Sequence, residues 1–84
     1  MSYVVYVLAS RTKNYIYVGL TSDLQTRLNR HNKGGEKTTG PYAPFDLIFS
    51  EKCIDRKTAR KRERYWKSGT GKEQLKKLKK QIKK

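Results

Sequence analysis

Three features of the chain predict an α+β domain of element order ββαβαα. Two Val- and Tyr-rich runs, "YVVYVLA" and "YIYVG", flank the turn-forming "SRTKN", the pattern of a β-hairpin with a loop of about five residues. Apolar residues recur at helical spacing behind capping residues in three places, at about 23–32, from Asp55 onward and at about 71–84. Between the first two of these, "FDLIFSEKC" alternates as a third strand would.

In the hairpin, Tyr3, Val5 and Val7 share one face, and Val4, Tyr6 and Leu8 the other. Tyr15 and Tyr17 share a face of the second strand, with Ile16 and Val18 opposite, so Tyr6 and Tyr17 can meet on one side of the sheet. In "TSDLQ", Ser22 is the expected helix cap, with Gln25 closing a capping box and Asp23 in the first turn. The inward stripe of that helix is Leu24, Arg27, Leu28 and His31. Two of its four positions are polar, a local conflict that marks function.

The stretch "NKGGEKTTGPYAP" is a long loop, of the kind that is functional or mobile in a compact domain. In the third strand Phe45, Leu47 and Phe49 should alternate against Asp46, Ile48 and Ser50. Asp55 caps the second helix, with Ile54 expected to staple onto Ala59 and a stripe of Ala59, Arg62, Glu63 and Trp66. "SGTG" breaks the chain, and Thr70 to Glu73 offers a capping box for a lysine-rich final helix with Leu75, Leu78 and Ile82 on one side.

At 84 residues the chain reads as one domain, residues 1–84, with a small core. Its net charge of +14, from 21 Lys and Arg against 7 Asp and Glu, destabilises a compact state by self-repulsion unless a polyanion answers it. Nucleic acid is the partner this implies. A membrane-surface protein needs a bulky apolar helix face, and the basic helix offers only Leu75, Leu78 and Ile82. A lone cysteine, Cys53, excludes an internal disulfide framework, and a lone histidine excludes a His-rich metal site; both suit the cytoplasm. "YVVYVLA" lacks a basic leader and is too short to span a bilayer, so it reads as a strand.

Phosphodiester hydrolysis needs a proton acceptor for water, a cation to offset phosphate charge, and often a carboxylate-bound metal. Asp23, Asp55 and Glu73 are accounted for at helix starts, Glu36 lies in the glycine-rich loop, and Asp46 and Glu51 sit near the ends of the third strand. Glu63 remains, on an inward stripe among Arg60, Lys61, Arg62, Arg64 and Lys67. It is either a cleft-facing carboxylate or an ordinary Glu paired with Lys67 or Arg60. Arg27 and His31, one helical turn apart, form either a solvated polar face or a clamp for phosphate and a nearby oxygen. Tyr6 and Tyr17 read equally as core aromatics with hydroxyls reaching water. Gly19 supplies either the exit from the strand or room for a phosphate to approach the backbone. Cys53 reads as a small buried residue, and Trp66 as core, with base stacking the alternative.

The series Tyr6, Tyr17-Val18-Gly19, Arg27, His31 and Glu63 resembles the GIY-YIG nuclease domain over nearly the whole chain, with Val4-Val5-Tyr6 and Tyr17-Val18-Gly19 in the places of the two family tripeptides. It looks most like the small stand-alone bacterial members of that superfamily. The resemblance implies a three-stranded antiparallel sheet flanked by helices and a metal-dependent endonuclease site on one face. Either Tyr6 or Tyr17 would act with water as general base, Tyr6 being favoured, and a neighbouring cation would have to lower a hydroxyl pKa near ~10. Arg27 would stabilise the pentacovalent phosphate, His31 would assist at the nucleophile or phosphate, and Glu63 would hold a single Mg²⁺ or Mn²⁺. Gly19, Arg60, Arg64 and Lys67 are the further residues expected near nucleic acid. Many members carry a separate DNA-binding module; here either the basic surface or a partner protein delivers the substrate, and cutting should follow DNA structure rather than sequence. The alternatives are a binding module on the same fold that does not cut, and an accessory protein that docks through its lysine-rich end.

Overall fold

The computed structural model describes residues 2–82. Strands β1 (Tyr3–Ser10) and β2 (Ile16–Thr21) form the hairpin, followed by helix α1 (Leu24–Asn32), strand β3 (Phe45–Cys53) and helices α2 (Arg56–Lys67) and α3 (Gly69–Ile82). The sheet is antiparallel throughout with order β2-β1-β3. This is the expected α+β architecture, ββαβαα.

β1 is the central strand, which explains why its sequence is apolar at nearly every position. One face of it, with Tyr6, Leu8 and Phe45, is covered by Leu24 and Leu28 of α1 together with Tyr15, Tyr17 and Tyr42. The other, with Val5, Val7, Ala9 and Val18, packs on Ala59 and Trp66 of α2 and Leu75 of α3. Val5, Val7 and Leu8 are fully buried, so truncating Leu8 to Ala would cost about 2–5 kcal/mol. Trp66 is core, against Phe49 and Tyr65 at ring separations of 4.9 Å each. No helix among the described residues is long and apolar enough to cross a membrane.

β3 does not alternate as its sequence suggests. The register steps from Val7↔Phe49 to Leu8↔Leu47, which leaves Ile48 as the extra residue of a bulge. Phe45 therefore faces α1, Ile48 and Phe49 both join the cluster under α2 and α3, and Leu47 is left exposed. Simple alternation cannot foresee an inserted residue.

Two caps and a hydrophobic staple also differ from expectation. Thr21 Oγ1 accepts the Asp23 N–H at 3.1 Å and bonds back to the Asp23 carbonyl, and this turn moves the start of α1 past Ser22. Asp23 is the cap, accepting from Thr26 N at 3.2 Å, while Gln25 reaches along the helix to Asn29. Asp55 caps α2 as expected, but Ile54 is 82% exposed and makes no staple. Ser68 ends α2 with its N–H on the Tyr65 carbonyl and starts α3 with its Oγ accepting from Gly71 N, so α3 begins at Gly69 and the Thr70–Glu73 box does not form. The expected place of the Ile82 side chain and the last two residues of that helix lie outside the described residues.

Candidate active site

Tyr6 sits mid-strand in β1 on the face toward α1, directly opposite Gly19 of β2. A Cβ at Gly19 would stand 2.7 Å from the Tyr6 hydroxyl and 2.8 Å from the Tyr17 ring. Gly19 is therefore neither the exit from its strand, which continues to Thr21, nor an open approach to backbone: its missing side chain is the space in which the two tyrosines lie.

The last turn of α1 delivers His31 to the same place. Its Nε2 lies 3.1 Å from the Tyr6 hydroxyl and its Nδ1 2.7 Å from Thr39 Oγ1. All three side chains are only 1% exposed. Tyr17 is half-buried, with its ring 5.0 Å from His31 and 6.1 Å from Tyr6, and the edge of Phe45 closes the far side of the imidazole. A neutral imidazole has one N–H and one lone pair. The phenol is the more acidic of its two hydroxyl partners, which assigns Tyr6 as donor to Nε2 and leaves the Nδ1 N–H to donate to Thr39.

The loop between α1 and β3 is an ordered part of this site. Asn32 Oδ1 accepts the Phe45 N–H at 2.7 Å, the Gly40 N–H reaches the Glu36 carbonyl, and a 3₁₀ turn at Gly40–Tyr42 follows Thr39. Glu36 draws in Arg30 at 3.3 Å and Arg27 at 4.0 Å. Neither Thr39 nor Glu36 has a periodic signal in the sequence. Only the length of the loop and its Gly and Pro residues marked the segment.

Electrostatics separate the members of the cluster. Burial, then the neighbouring Tyr17, raises the Tyr6 pKa well above the ordinary phenol value; Arg27 pulls the other way but is outweighed. The cationic surroundings expected to prepare this tyrosine as a base thus lose to desolvation. Burial also lowers the His31 pKa, with Glu36 opposing and Arg27 and Arg30 assisting. Both groups are neutral at pH 7, and His31 keeps a lone pair for the proton Tyr6 holds. Arg27, partly exposed on the same helix face, is the cation beside them.

Among the described residues Glu63 makes no ion pair or hydrogen bond with this cluster. It lies on α2, which packs through Ala59 and Trp66 on the other face of the sheet, and its side chain is paired with Lys67 at 3.2 Å. Arg60 and Arg64 are exposed on the same helix. Among the described residues no three His, Cys, Asp or Glu side chains gather as a metal cage. Glu63 fits a different kind of site: a single carboxylate, paired with a half-exposed lysine, suits a largely hydrated Mg²⁺ or Mn²⁺ that takes few protein ligands. A second network lies on that side, where Glu51 accepts from Arg62 Nε at 3.0 Å and from Trp66 Nε1 at 3.2 Å. Cys53 is buried, which raises its thiol pKa.

A sheet face that carries paired tyrosines and the strand glycine beneath a helix bearing an arginine and a histidine is the framework of a GIY-YIG domain, and residues 2–79 match the model of the GIY-YIG catalytic domain. The chain belongs to that family. It is 37% identical over 68 residues to the "UPF0213 protein YazA" of Bacillus subtilis, covering 80% of this chain and 68% of that one. It is 34% identical over 72 residues to the "UPF0213 protein CPE1444" of Clostridium perfringens, covering 84% and 76%. Among solved structures it is similar to the solution NMR structure of the UPF0213 protein BH0048 from Bacillus halodurans, with TM-score 0.56, 33% identity, and coverage of 94% of this chain and 86% of that one.

Proposed function

We propose that the protein is a metal-dependent endonuclease that hydrolyses phosphodiester bonds in DNA and selects its substrate by structure rather than sequence. The observation that carries this reading is the buried line Tyr6–His31–Thr39, which gives a proton a path from a phenol to a neutral imidazole inside a nuclease-family fold.

Tyr17 is the hydroxyl-bearing side chain of the cluster nearest solvent. A water held there attacks phosphorus; its proton passes by way of Tyr17 to the Tyr6 oxygen as the Tyr6 proton moves to His31 Nε2. His31 is then the base, Tyr6 the relay, and Thr39 receives the N–H of the imidazolium. Arg27 meets the charge that grows on the phosphate. Glu63, released from Lys67, would hold a single Mg²⁺ or Mn²⁺, which when bound supplies Lewis-acid stabilisation of the phosphate and leaving oxygens. Gly19 acts indirectly, by seating the tyrosines, and Arg60, Arg64 and Lys67 offer backbone contacts to nucleic acid. A cytoplasmic setting accords with the unpaired Cys53.

The test is metal-dependent nicking, with Mg²⁺ or Mn²⁺, of plasmid, flapped, branched and single-stranded DNA. Arg27→Ala and Glu63→Ala should abolish nicking while binding is kept. If no substrate shape is cut and the variants bind as the wild type does, the protein is a binding module on a nuclease fold.

A further inference from the structure

β2 is an outer strand of the sheet, and its two faces serve different surroundings. Tyr15 and Tyr17 turn toward α1 and the candidate site, while Ile16 and Val18 turn toward α3. On that second side, β2 and α3 enclose an open groove of about 810 Å³. Its floor is Ile16, Val18 and Leu75, and five lysines of α3 border it: Lys72, Lys76, Lys77, Lys79 and Lys80. Glu73 is the one carboxylate in the lining. At the end of the groove Lys79 Nζ reaches Asn14 Oδ1 of the hairpin loop at 3.3 Å, tying the helix to the strand.

We infer that this groove is a second binding track for the phosphodiester backbone of a nucleic-acid strand, continuous over the edge of β2 with the site at Tyr17. The inference rests on the nuclease reading for where the strand is cut but not for whether it binds. Three observations carry it. Five lysines of one helix border a single concavity, four of them exposed to solvent and so open to a strand laid along it. Lys72, Lys76 and Lys80 recur every four residues, about 6 Å apart along one face of the helix, as a linear polyanion requires. The site and the groove share one strand, so Tyr17 is flanked in the chain by two groove residues, and a strand bound at one has only to cross the sheet edge to reach the other. The balance of charge favours a polyanion over an apolar helix or a second, equally basic copy of the chain.

The experiment is binding of a labelled single-stranded oligonucleotide of about 20 nucleotides, by fluorescence anisotropy over a series of salt concentrations, with no divalent metal so that no cleavage intervenes. The groove variant is Lys72→Gln/Lys76→Gln/Lys80→Gln, and the control of equal charge is Lys52→Gln/Lys57→Gln/Lys61→Gln, exposed residues of β3 and α2. Circular dichroism checks that both keep their helices. If three phosphate contacts are lost, the slope of log K against log salt should fall by about 2 in the groove variant, with affinity down about tenfold or more at 0.1 M salt, and by less than half that in the control. Equal effects in both variants, or an unchanged slope in the groove variant, overturn the inference. So does loss of binding to an acidic peptide such as poly-glutamate with oligonucleotide binding intact, which assigns the surface to an acidic protein. Nicking with an unchanged slope sinks this inference alone; the expected slope change with no nicking sinks only the nuclease reading.

Discussion

The Tyr6 hydroxyl and His31 Nε2 lie 3.1 Å apart, each side chain 1% exposed, and each is the other's hydrogen-bond partner in a region closed to solvent. Their pKa directions diverge, the phenol raised and the imidazole lowered, both chiefly by burial. A neutral donor facing a neutral acceptor leaves the proton on Tyr6, so in the proposed reaction His31 gains it only as the Tyr6 oxygen takes one from the side of Tyr17.

Activity should therefore need neutral His31 and rise with pH, with an apparent midpoint below the 6.5 of an ordinary histidine. Stability follows the same group. Below pH 6.5 the unfolded chain takes up a proton that folded His31 refuses, so stability is full above that pH and is lost as pH falls toward the lowered folded value. At the alkaline end the sign reverses. Tyr6, raised from 10.0, holds its proton longer when folded, and stability is lost as pH rises above 10. Urea denaturation at a series of pH values checks both limbs, and His31→Gln should flatten the acidic one.

Thr39 holds the imidazole in the tautomer that accepts from Tyr6. Thr39→Val should leave the His31 Nδ1 N–H without its partner, at a cost of about 1–3 kcal/mol, and should lower nicking. Nitrogen-15 NMR of the imidazole should show the Nδ1-protonated form in the wild type and a mixture in the variant. Thr39→Ser should restore both the tautomer and the activity.

Gly19→Ala places a methyl 2.7 Å from the Tyr6 hydroxyl and 2.8 Å from the Tyr17 ring. Overpacking of this kind should cost about 1–3 kcal/mol. Because the Tyr6 oxygen is one of the colliding atoms, Gly19→Ala should cost less in a Tyr6→Phe background. A double-mutant cycle by chemical denaturation measures the difference; strictly additive effects would deny the contact.

Glu51 bridges Arg62 and the buried Trp66 indole across β3 and α2. Glu51→Ala should destabilise the fold by about 1–3 kcal/mol through the orphaned indole N–H. The Tyr6 cluster is on the other face of the sheet, so the pH midpoint of nicking, which His31 sets, should be unchanged even where the rate falls through Glu63 beside the freed Arg62. Thermal melts paired with nicking rates across pH separate the two effects.

The hairpin, the order of elements and the two faces of β1 were legible in the sequence because alternation and the "SRTKN" turn are local signals. The bulge at Ile48 was not, because it arises from how β3 pairs with β1. The Ser22 cap misled because Thr21 makes its own turn with Asp23, a competition between neighbouring hydroxyls that no spacing rule decides. Around the site, Arg27 and His31 stood out as polar residues on an apolar stripe. Thr39 and Glu36 did not, since their roles depend on a loop folding back across some eight residues to α1. Glu63 is the carboxylate left over once the other six have local explanations, and its pairing with Lys67 is what helix spacing alone predicts.

The most direct test is single-turnover nicking by Tyr6→Phe against the wild type, with DNA affinity measured in parallel and folding checked by denaturation. Removing the relay oxygen while keeping the ring should lower the cleavage rate by about 10²- to 10⁴-fold, the range of a lost acid–base group, with affinity nearly unchanged. A Tyr6→Phe protein that folds, binds and cuts at the wild-type rate would contradict the assignment of proton transfer to Tyr6 and His31.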